Sequence, residues 1–86
     1  MDDEDLRELA DAAVRQGKLP TRRPDRTLGG PGGGADCAVC GEPVKSHQME
    51  IELQFARDIN TPDAGLDRYH VHIRCFAMWE LVRTTS

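Results

Sequence analysis

Two short stretches decide the fold: Cys37-Ala38-Val39-Cys40-Gly41 and, further along, His72-Ile73-Arg74-Cys75. Each places two donors with two residues between them, a separation that lets both side chains face one ion, and Gly41 permits a tight turn after the second thiolate. Three thiolates and one imidazole are soft donors, and together they suit a closed tetrahedral site with metal–sulfur distances of about 2.3 Å. One structural Zn2+ held by Cys37, Cys40, His72 and Cys75 follows, with no coordination position left for a substrate. His70 competes for the fourth position, since residues two apart on a strand share a face. The spacing of His72 to Cys75 mirrors the first pair, which makes His72 the ligand and His70 a neighbour bonded to a carboxylate. His47, in the polar turn Lys45-Ser46-His47-Gln48, reads as a surface residue.

Between the ligand pairs, Met49, Ile51, Leu53 and Phe55 alternate with polar residues, the period-two pattern of a half-buried strand. Arg57 to Asp67, with Asn60, Pro62, Asp63 and Gly65, reads as a surface loop, after which Arg68 to His72 returns as the second strand of a hairpin. Past His72 the apolar positions Ile73, Phe76, Ala77, Trp79, Leu81 and Val82 turn helical and put Cys75 in the first turn, where the helix dipole favours a thiolate. Phe76 and Trp79 read as core on that helix rather than as a stacking platform, because an 86-residue chain with 5% aromatic residues has little else to fill an interior.

Residues 1–17 crowd Asp2, Asp3, Glu4 and Asp5 before an apolar stripe of Leu6, Leu9, Ala10, Ala13 and Val14. This is an amphipathic helix with acidic residues at the positive end of its dipole, stopped by Gly17 and Pro20. So short a helix is marginal alone in water, so the stripe is expected to dock on the metal module or on a second subunit; exposed, it would be a docking face for a partner. Residues 18–36 hold Pro20, Pro24 and Pro31 and a run of glycines, the composition of a linker without regular structure. They also carry Lys18, Arg22, Arg23 and Arg26 against Asp25 and Asp36, a local charge of +2 in a chain of net −4. Arg22, Arg23 and Arg26 beside glycines form a candidate anion site, and replacing Arg22 and Arg26 is expected to leave stability nearly unchanged. The Arg22/Arg26 spacing resembles the arginine half of the PilZ-type cyclic-dinucleotide motif, without its remainder.

The expected fold is a small zinc-stabilised α+β module over residues 37–86, preceded by an acidic helix (1–17) and a basic Gly/Pro-rich linker (18–36). Knuckle, hairpin and a helix carrying the second ligand pair form a treble-clef-like arrangement. The paired spacings and Cys75-Phe76 resemble treble-clef zinc fingers of the LIM and poly(ADP-ribose) polymerase types. The resemblance covers about half the chain and implies fold and metal site only, since Val71 rather than an aromatic residue precedes His72. An odd number of cysteines and the lack of a signal-like or membrane-spanning apolar run point to a reducing, cytoplasmic location. A closed metal site, with no glutamate beside His72 and no P-loop or serine-nucleophile motif, argues against an enzyme. The expected role is a protein-interaction or regulatory adaptor, reaching a protein partner or a second copy through the acidic helix. The alternative is a nucleic-acid or nucleotide binder using Arg22, Arg23 and Arg26, which the net charge of −4 opposes.

Overall fold

The structure, a computed structural model, describes residues 2–57, 60 and 65–85. Its elements are α1 (Asp3–Arg15), β1 (Arg26–Pro31), β2 (Met49–Ala56), β3 (Leu66–His72) and α2 (Ile73–Thr85). The three strands form one antiparallel sheet in the order β1-β2-β3, making a small α+β fold with both helices packed together. The alternation read in 49–56 is the central strand. Its apolar side chains Leu53 and Phe55 are buried, and β3 pairs it with Val71 opposite Ile51 and Tyr69 opposite Leu53. The return strand begins at Leu66, two residues before the expected Arg68; most of the expected loop lies outside the described residues.

The expectation that 18–36 lacks regular structure is corrected. Arg26–Pro31 is a strand, in register with β2 from Arg26 opposite Gln54 to Pro31 opposite Met49. Glycine and proline are tolerated there because β1 is an edge strand. The Gly32 N–H bonds the Gln48 carbonyl, which fixes the even-numbered residues of β1 as the ones bonded to β2 and leaves Pro31 where no inward donor is required. The preceding residues are a strap rather than a tether. Leu19 is buried and the Trp79 indole N–H donates to the Pro20 carbonyl at 3.1 Å.

Helix α1 begins at the Asp2 cap, whose carboxylate accepts from the Asp5 N–H at 2.9 Å, and ends two residues before Gly17. Leu6, Ala10 and Ala13 are buried, and Leu9 and Val14 are partly covered, so the acidic helix docks its stripe within the chain, against α2. Burying Leu6 contributes about 1.5–3 kcal/mol, more than an isolated helix of this length gains from its own hydrogen bonds. Trp79 lies at the centre of the core, fully buried, with Phe55 edge-on at 6.3 Å and the Arg83 guanidinium over its ring at 5.2 Å. Ile73 and Leu81, counted with the helical apolar run, are exposed.

Candidate metal centre

Cys37 and Cys40 sit on a knuckle closed by two backbone bonds, Cys37 N–H to the Glu42 carbonyl and Gly41 N–H to the Cys37 carbonyl, at 2.8 and 2.9 Å. Gly41 has φ +80°, a conformation that side chains oppose, which is the role its place after Cys40 implies. The knuckle's arms are laced by Val44 N–H to the Ala35 carbonyl and Gly34 N–H to the Val44 carbonyl. Gly32 supports this lacing: a Cβ there would lie 2.2 Å from the Lys45 carbonyl oxygen, so only glycine allows the two backbones to meet. One further bond, from Ala38 N–H to the His70 carbonyl at 2.9 Å, ties the knuckle to β3. His72 ends β3 and Cys75 stands in the first turn of α2, so the second ligand pair straddles a strand–helix junction.

The donor atoms of Cys37, Cys40, His72 and Cys75 all lie within 4.8 Å of one another, and the three cysteines are free thiols. His72 Nδ1 is 3.4 Å from the Cys40 sulfur and 3.9 Å from the Cys75 sulfur. Its other nitrogen, Nε2, meets Gln48 Oε1 at 3.2 Å, and the same oxygen accepts the Lys45 N–H at 2.8 Å. An oxygen that only accepts requires the proton on Nε2, so the free lone pair of Nδ1 faces the thiols. Gln48 therefore orients the imidazole. Its polar turn carries no sequence signal of that role.

Hydrogen bonding from the Cys75 thiol, and from backbone N–H groups including Val39 at 3.4 Å, holds Cys37 far below the ordinary thiol range. The same Cys37–Cys75 bond, then burial and the neighbouring negative charge, pushes Cys75 far up, while burial leads the upward shift of Cys40. Three thiols this close thus carry one negative charge readily and resist the second and third, a conflict that a bound cation resolves. The donor set and its electrostatics fit a metal ion.

No family model, curated protein or solved structure matches this chain.

The other expected site residues fall in different places. His70 is not among the clustered donors. Its Nδ1 lies 3.4 Å from Glu50 and 3.9 Å from Glu52, but the expected carboxylate bond is not made. Among the described residues, both His70 Nδ1 and Glu50 Oε1 are buried without a hydrogen-bond partner. The arginine cluster is divided. Arg22 bonds Asp25 at 3.1 Å and the Ala56 carbonyl at 2.8 Å, with its guanidinium 5.0 Å from the Phe55 ring centre. Asp25 in turn accepts the Ala56 N–H at 2.7 Å, a bond that, ahead of Arg22, lowers its pKa. Arg22 thus bonds the strap to β2, a contact the reading of Arg22, Arg23 and Arg26 as one anion site did not include. Arg23 and Arg26 are exposed. No helix among the described residues is long and apolar enough to cross a membrane.

Proposed function

We propose that this chain binds one structural Zn2+ through Cys37, Cys40, His72 and Cys75 and serves as a non-enzymatic protein-interaction or regulatory module of the cytoplasm. The observation that carries the metal reading is the converged donor set, with a histidine lone pair turned inward by Gln48. Nitrogen and sulfur ligands on one tetrahedral zinc stand about 3.5 Å apart, and the His72–Cys40 and His72–Cys75 separations of 3.4 and 3.9 Å bracket that value. Knuckle, β2–β3 hairpin and α2 support the treble-clef description, with β1 and α1 as additions around it. Four protein donors complete a zinc site without a place for substrate, which supports a structural rather than catalytic ion. Elemental analysis of reduced, folded protein is expected to give one zinc per chain; folded protein free of metal would remove the reading.

A further inference from the structure

Strand β1 is the open edge of the sheet, and its geometry is specific enough to define what could join it. Because the even residues bond β2, the N–H groups of Thr27 and Gly29 and the carbonyls of Thr27, Gly29 and Pro31 face outward. No strand covers them among the described residues, and Thr27, Leu28 and Gly29 are exposed. Pro31 lacks an outward donor and so limits pairing to the part of β1 before it.

The side chains along that edge carry a second signal. Register aligns Arg26, Gln54 and Arg68 in one row on the face opposite Leu53 and Phe55, with Gln54 itself buried between the two exposed arginines, and Leu28, Glu52 and His70 in the next. Glu52 and Glu50 are turned to His70, and Glu52 also accepts from Gln54, whereas Arg26 and Arg68 have no hydrogen bond or ion pair among the described residues. Arg23, also exposed, lies just ahead of the strand. Leu28, beside Arg26's row, is 39% exposed, an apolar side chain partly open to solvent.

We propose that β1 is a strand-addition site for an extended acidic peptide of a partner protein. The peptide runs antiparallel to β1, exchanging backbone bonds with Thr27 and Gly29. It sets an apolar side chain beside Leu28 and, two residues later, a carboxylate beside Arg26. A polyphosphate backbone is the poorer fit, since it uses neither the outward N–H and carbonyl row nor Leu28. This names a partner surface for the protein-binding reading and rests on that reading, without depending on which metal fills the cysteine site.

The test is an amide-resolved NMR titration of the full chain with the acetylated, amidated hexapeptide Ser-Thr-Val-Thr-Glu-Ser at up to millimolar concentration, zinc content being measured on the same sample. Shifts and new exchange protection centred on Thr27 and Gly29 are expected. Replacing the peptide's glutamate by lysine should weaken binding about fivefold, and Arg26→Glu should reverse the preference. Retained zinc and native dispersion in Arg26→Glu separate loss of this site from loss of the module. The proposal is overturned by unchanged Thr27 and Gly29 amides, or by binding indifferent to both charge changes. It is also overturned if sedimentation shows that β1 pairs with a second copy, or if oligothymidylate binds through Arg26 and excludes the peptide.

Discussion

The chain from Cys37 onward and the chain before it reach the same core by different means. The later region gathers four donors around one point, and its knuckle, hairpin and helix all lead to that point. The earlier region has no such centre. Its helix lies on α2, Leu19 is buried in the core, the Pro20 carbonyl bonds Trp79, Arg22 crosses to Phe55 and Ala56, and β1 completes the sheet edge. One region depends on a few contacts whose loss is catastrophic, the other on many whose losses are graded.

The sharpest test of that contrast is Cys40→Ala. Structural zinc supplies on the order of 10 kcal/mol of coupled binding and folding energy, so the NMR dispersion of residues 37–83 should collapse; a native spectrum would erase the distinction between the regions. In the earlier region, Leu19→Ala should cost about 2–5 kcal/mol in denaturant unfolding while one zinc per chain is retained. Loss of zinc there would show the strap to be part of the metal site. Gln48→Leu removes the bond that orients His72 and should weaken metal binding about 10- to 100-fold, read by competition with a chromophoric chelator, with little change in the zinc-saturated fold.

The smallest effect compares two arginines four residues apart. Arg22→Ala should lower stability slightly but measurably, through its lost bonds to Asp25 and the Ala56 carbonyl, whereas Arg26→Ala should be nearly silent in the same melt. The Arg22 effect should depend on pH in a defined direction. Asp25 has a lowered pKa in the folded chain, so its contribution is fully present above the ordinary carboxylate value of about 4 and fades as pH falls through the lower folded value. The stability gap between parent and Arg22→Ala should therefore be constant above about pH 4 and narrow as pH falls below that value, leaving the part due to the Ala56 carbonyl bond.

How much of this was legible in the sequence follows the same division. The ligand set, the Gly41 turn, the 49–56 strand and the helix behind Cys75 are written in fixed spacings and short periods, which survive without knowledge of what lies across the fold. The stripe of α1 was equally plain as a pattern, and the structure supplies its partner, α2. Strand β1 was not legible: Gly29, Gly30 and Pro31 argue against a strand locally, and only pairing with β2 makes one. Leu19, Arg22 and Gln48 share that character. A lone leucine between lysine and proline, an arginine among arginines and a glutamine in a polar turn acquire their roles from residues about 20 to 60 positions away.

The bond from Ala38 N–H to the His70 carbonyl bears on how the two halves of the donor cluster are kept together. Cys40 and His72 stand 32 positions apart, and closing a flexible loop of that length costs about 3 kcal/mol from its length dependence alone. In the folded chain the β2–β3 hairpin shortens that separation by pairing Glu50 with His72, and the Ala38–His70 bond holds the knuckle alongside. For an ion held by Cys37 and Cys40, His72 and Cys75 would thus stand at a high effective concentration.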